Sequence, residues 1–227
     1  MIISDKNQND ILEIFELNYD YHNKPINRLK TKEINSSKSQ KLSELKKKIQ
    51  DIQNCELKQN ATNLVFSDGD INSQIMFVGE GPGQKEDEQC KPFVGDAGNL
   101  LNKMLNAINI KRDNIYITNV VNYRPPKNRK PEPSEILRYS HFLKEHISII
   151  DPKILVLMGS TAMESILGPK IKISKERGKW KNVIINNKSI KTIVTFHPAY
   201  LLRQPEQKRL SWEDLKMIRK EFVYLKY

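Results

Sequence analysis

Four short apolar segments, residues 75–79, 114–118, 153–158 and 192–196, are separated along this chain by helical patterns at 95–108, 134–149 and 160–167, with another at 211–223. Strands joined by helical crossovers imply a parallel sheet with helices on both faces. The expected fold is therefore α/β, a three-layer sandwich with a central parallel four-stranded sheet flanked by helices. In such sheets ligands bind outside the carboxyl ends of the strands. Glu80, Asn119 and His197 stand at or just past three of those ends, so three distant segments would meet in one crevice.

Residues 1–35 combine an amphipathic stretch around Ile11, Ile14, Phe15 and Leu17 with a polar tail, read as a short helix and a flexible linker. Residues 37–53 place Leu42, Leu45 and Ile49 at helical spacing behind a serine cap, which predicts a surface helix. The chain thus divides into a polar, helical extension, 1–50, and one domain, 51–227.

The balance of 38 Lys and Arg against 27 Asp and Glu leaves a net charge of +11, a field that draws polyanions. Nucleic acid is the natural partner. Two cysteines, Cys55 and Cys90, cannot staple a domain of this size, which points to a reducing, intracellular setting. There is no apolar run near the roughly 18 residues a membrane span needs and no signal-peptide core. The expectation is a cytoplasmic monomer with no membrane partner.

The apolar strand Ile75 to Val78 runs into a loop carrying Gly79, Gly81 and Gly83, where missing side-chain bulk lets a ligand approach the backbone. Its spacing is neither GxxxxGK[ST] nor GxGxxG, so a nucleotide-phosphate loop is absent. Together, GEGPGQKEDEQCKPFVGDAG (79–98), ITNVVNYRPPKNRKP (117–131) and HPAYLLR (197–203) resemble the motifs of the family 4 uracil-DNA glycosylases, over roughly residues 50–217. The resemblance implies a DNA repair enzyme that flips uracil out of DNA, hydrolyses its N-glycosidic bond and leaves an abasic site. Its partner would be uracil-containing DNA, single- or double-stranded.

Such a reaction must stabilise a departing base anion, admit water at C1′ and hold the extruded base by its edge and face. The resemblance places Phe93 at the stacking position, lines the uracil pocket with Glu80 and Gly81, and assigns His197 to the anion at uracil O2. Asn119 presents a donor and an acceptor together, matching uracil O4 and N3–H. Glu86 is preferred over Asp87 as the acid that positions water; the alternative reading of 86–88 is an exposed acidic helix start. Arg124, Lys127 and Arg129 would pinch the backbone on one side of the pocket. On the other side Leu201 would wedge into the base stack and Arg203 would grip phosphate.

The family usually carries four cysteines that ligate a 4Fe–4S cluster. Here Cys55 holds one of those places, while Lys58, Tyr123 and Tyr139 stand at the other three. The expectation is no cofactor and no metal, with the two tyrosines filling the vacated volume. The stretch 171–180 lacks the reactive histidine of the related cross-linking glycosylases. A competing reading is a non-catalytic binder of damaged or abasic DNA, or a polymerase-associated domain.

Overall fold

The computed structural model describes residues 37–169 and 171–225. The helix and linker expected over 1–35 lie outside the described residues. The described chain is one compact unit that begins at Ser37. Four parallel strands form its middle: β2 (Ile75–Gly79), β3 (Tyr116–Asn119), β4 (Ile154–Met158) and β6 (Lys188–Thr195), in the spatial order β3-β2-β4-β6. Two antiparallel edge strands, outside the expected sheet, make it mixed and six-stranded: β1 (Asp68–Gly69) beside β3, and β5 (Trp180–Ile185) beside β6. β5 and β6 form a hairpin through Asn186 and Asn187, whose φ values of 47° and 64° are the pair of positive angles a type I′ turn requires.

Every residue of β2 and β4 is buried, as central parallel strands covered on both faces must be. Alternation then sorts their side chains. Met76, Val78, Leu155 and Leu157 pack with Leu42, Leu45 and Ile49 of α1 (Lys38–Gln50), and with Tyr139, Phe142 and Leu143 further along the chain. Ile75, Phe77, Ile154 and Val156 pack on the other face, against Leu101 and Leu105 from one helix and Leu215 and Ile218 from another.

The remaining helices are α2 (Glu56–Asn60), α3 (Gln84–Gln89), α4 (Asp96–Ala107), α5 (Pro133–Ile150), α6 (Ser160–Leu167), α7 (Ile173–Glu176), α8 (Pro198–Arg203) and α9 (Lys208–Tyr224). α5 lies on the first face of the sheet, and α4 and α9 lie on the second. The core therefore begins with α1 rather than after it. Ser37 caps this helix by accepting the Gln40 amide at 3.2 Å, and Lys38 Nζ donates to the Ile150 carbonyl at 2.8 Å, tying it to the end of α5.

His146 of α5 finds partners that its place in the sequence did not disclose. It is buried, stacked on Phe66 with centroids 4.6 Å apart, and its Nε2 lies 2.8 Å from the Tyr116 hydroxyl. Burial pushes its pKa down to about 3, so the ring is neutral. No helix among the described residues is long and apolar enough to cross a membrane.

Candidate active site

β2 lies between β3 and β4, so the chain leaves it toward one neighbour and later returns on its other side. The crevice at this reversal is where an open α/β sheet binds ligands. A cleft of about 810 Å³ opens there, lined among others by Glu80, Gly81, Glu86, Phe93, Asn119, His197 and Arg203. Residues expected from three separate segments, 79–98, 117–131 and 197–203, are thus brought together.

His197 is the N-cap of α8, and its Nδ1 accepts the Ala199 amide at 3.1 Å. An accepting Nδ1 in a neutral imidazole puts the proton on Nε2. Burial, helped by the positive charge of Arg203, lowers the pKa of His197 to about 4, so the ring is neutral at physiological pH. Its Nε2 is buried without a hydrogen-bond partner among the described residues. Asn119, 3% exposed at the end of β3, has its Oδ1 in the same condition. Buried polar atoms nearly always find partners, so two orphans lining one cleft mark a place for a polar ligand.

Phe93 faces His197 with ring centroids 5.5 Å apart. Its ring passes close over Gly79. A Cβ there would stand 2.5 Å from the Phe93 ring and closer still to Asn119 Oδ1, so glycine is required for this approach.

Glu80 accepts a hydrogen bond from the hydroxyl of Thr161, a fully buried residue of α6 that sequence reasoning missed. The signal was available, since KILVLMGSTA (153–162) is another strand whose carboxyl end opens a helix.

The neighbouring acids of α3 separate cleanly. Asp87 is buried and turned away, accepting the amides of Thr62 and Asn63 at 3.1 and 2.8 Å, whereas Glu86 lines the cleft. Glu86 Oε1 takes the amides of Val94 at 2.9 Å and Gly95 at 2.7 Å, which leaves Oε2 as its unengaged oxygen among the described residues.

The basic loop departs in part from expectation. Arg124 donates to Asn128 Oδ1 at 2.7 Å and Lys127 is exposed. Arg129, however, is locked in a two-pronged pair with Glu135 at 2.8 and 2.7 Å, so its fork braces the start of α5. Leu201 needs a correction: it is 1% exposed and packs in the core, so it cannot enter a base stack. Leu202 is the outward residue of that pair, at 44% exposure, beside the exposed Arg203.

The positions where the family keeps cluster cysteines hold a different donor set. Cys55 Sγ lies 3.4 Å from the Tyr139 hydroxyl, and both are buried. Burial raises the pKa of Tyr139 and of Tyr123, with Cys55 adding to the effect, so both phenols stay protonated. Lys58 Nζ donates to the carbonyls of Gln50 and Ile52 at 2.5 and 3.3 Å. One thiol, two protonated phenols and an ammonium do not fit a group that takes four thiolates.

The fold and the cleft define an α/β domain with a polar cleft, walled on one side by the Phe93 ring, at the ends of its parallel strands. A family model for the Uracil DNA glycosylase superfamily matches residues 66–216. The chain belongs to that superfamily, in its type-4 branch. It is 45% identical over 165 residues to a type-4 uracil-DNA glycosylase of Thermotoga maritima, covering 71% of this chain and 84% of the relative. The type-4 enzyme of Sulfurisphaera tokodaii is 41% identical over 186 residues, covering 78% of this chain and 83% of the relative. A Bacillus phage SP01 protein named DNA polymerase is 30% identical over 151 residues, 66% of this chain but 16% of that protein.

Proposed function

We propose that this protein is a DNA repair glycosylase that hydrolyses the N-glycosidic bond of uracil in DNA, flipping the base into the cleft and leaving an abasic site. The observation that carries the reading is the pair of orphans: the Nε2–H of a neutral His197 and Asn119 Oδ1, beside the Phe93 ring.

The base stacks on Phe93. Asn119 accepts from uracil N3–H and donates to O4, while Glu80 and Gly81 line the pocket. As the C1′–N1 bond breaks, its electrons stay with uracil and charge accumulates on O2, where His197 Nε2–H donates to it. A donor aimed at developing charge in a water-poor site acts on the transition state more than on the bound base. Glu86 holds the attacking water on Oε2 while its Oε1 holds the loop. Arg124, Lys127 and Arg203 contact phosphates, Arg129 buttresses the loop they share, and Leu202 takes the wedge position.

The enzyme works without an iron–sulfur cluster, as a monomer, on single- or double-stranded DNA in the cytoplasm. Uracil release from single- and double-stranded oligonucleotides tests the reading. Free uracil and an alkali-sensitive abasic strand are expected. Tight binding with no release would sink it and favour a non-catalytic, polymerase-associated role, for which the similarity to part of the phage protein is the supporting observation.

A further inference from the structure

The loop that carries Phe93 is held between an anion and a cation, and the cation, Arg112, lies outside the cleft. Arg112 opens a single 3₁₀ turn, Arg112–Asn114, between α4 and β3. Its Nε donates to Asp68 Oδ2 at 2.8 Å, and its Nη1 to the Phe93 carbonyl and Asn102 Oδ1, both at 3.0 Å. Its Nη2 donates to the Pro92 carbonyl at 2.6 Å. Four acceptors on one planar fork nearly exhaust its donors. On the other side, Glu86 takes the amides of Val94 and Gly95. Four consecutive residues, 92–95, therefore each have a backbone group fixed by a charged side chain.

Phe93 needs that grip. Its φ of +54° is in the left-handed region that non-glycine residues seldom occupy, and such a conformation persists only where its surroundings over-determine it. Asp68 holds Arg112 in turn and pairs with Lys91 at 3.1 Å. At the start of α4 a side chain on Gly98 would collide with the Phe93 carbonyl, so the helix itself closes the third side.

We infer that Arg112 is a positioning residue for base stacking: its guanidinium, on the carbonyls of Pro92 and Phe93, keeps the Phe93 ring over Gly79 and facing His197 before any base arrives. The inference deepens the glycosylase reading and rests on it. A ring that had to be ordered anew by each incoming base would stack more weakly, because binding would then carry the ordering cost. Lysine cannot replace Arg112, since a compact ammonium cannot span four acceptors arranged around a planar fork.

A double-mutant cycle separates positioning from mere support of the fold. Single-turnover uracil release at saturating DNA is measured for wild type, Arg112→Gln, Phe93→Leu and the double variant, with abasic-DNA affinity alongside. Arg112→Gln is expected to slow release about tenfold, the order of loss for a misplaced binding group. Arg112→Lys should not restore it, and abasic-DNA affinity should be nearly unchanged. In the Phe93→Leu background the same change should matter by less than about twofold, because the ring it positions is gone. Equal losses in both backgrounds, or an unaltered rate in Arg112→Gln, would overturn the inference. If Arg112→Gln does not fold, Asp68→Asn goes through the same cycle with the same criterion. A wild type that releases no uracil overturns the glycosylase reading and this inference together; independent losses in an active enzyme overturn the inference alone.

Discussion

His197 and Asn119 each bury a polar atom that no group among the described residues satisfies. A base whose edge matches both atoms gives them directed hydrogen bonds, whereas one with the wrong pattern seals a polar atom away unpaired at a cost of about 1–3 kcal/mol. Gly79 is the residue that lets the two walls of the stacking site approach. Gly79→Ala is expected to displace Asn119 and Phe93 together and cut uracil release by about 10²-fold, while the strand itself survives a small apolar residue. Rates near wild type in that variant would mean that the ring and the amide can give way without harm. Phe93, Asn119 and His197, named from their motifs, all line the cleft: Asn119 and His197 stand at or just past strand ends, and Phe93 lies in the loop between α3 and α4. Orientation was not legible in the sequence. Nothing in Glu86-Asp87 says which acid faces the cleft, since that depends on the helical phase of α3 against the segment at Thr62.

The same limit recurs between neighbouring residues of whole elements. Leu201 and Leu202 are alike in sequence, and the rotation of α8 over α4 and α9 decides which is core. Leu201→Ala should therefore destabilise the fold by about 2–5 kcal/mol, as a buried truncation does. Leu202→Ala should leave thermal stability nearly intact and slow release from duplex more than from single-stranded DNA. The reverse pattern in a melting and release series would undo the assignment. The four parallel strands were legible because each contains a short buried run with apolar residues, although β6 starts at Lys188, four residues before the run at 192–196 that announced it. The strand β5 was not, since Lys181 and Asn182 interrupt the apolar residues of WKNVII and leave neither a strict alternation nor a continuous run; its Asn186-Asn187 turn was the missed signal. α1 was read as peripheral because one apolar stripe looks the same on a surface helix and on one that closes the core. Where the type-4 family places its cluster, Tyr139, Tyr123 and Cys55 pack together, so purified protein should be colourless and contain no iron or sulfide. Stoichiometric iron with visible absorbance would contradict this.

For the molecule as a whole, two buried neutral histidines give stability a pH dependence. His146 and His197 have folded-state pKa values of about 3 and about 4, both below the ordinary value of 6.5. The unfolded chain therefore takes up protons that the folded chain refuses. As pH falls below about 6.5, stability should drop by about 1.4 kcal/mol per unit for each ring, levelling only near the folded-state values. Chemical denaturation at pH 7.5 and 5.5 checks the sign, and His146→Gln should halve the difference. An unchanged midpoint would mean that the rings charge freely in the folded state.

In the proposed reaction His197 is a neutral donor whose Nε2–H meets the departing uracil anion, and the single-turnover rate of wild type and His197→Ala between pH 8 and about 5.5 tests this most directly. The wild-type rate should show no inflection near pH 6.5, because the ring stays neutral across that range. His197→Ala should be slower by about 10²–10³-fold, the loss expected for one donor at a developing charge, with DNA affinity little altered. A wild-type profile that titrates near 6.5, or a variant that releases uracil at close to the wild-type rate, would contradict the account.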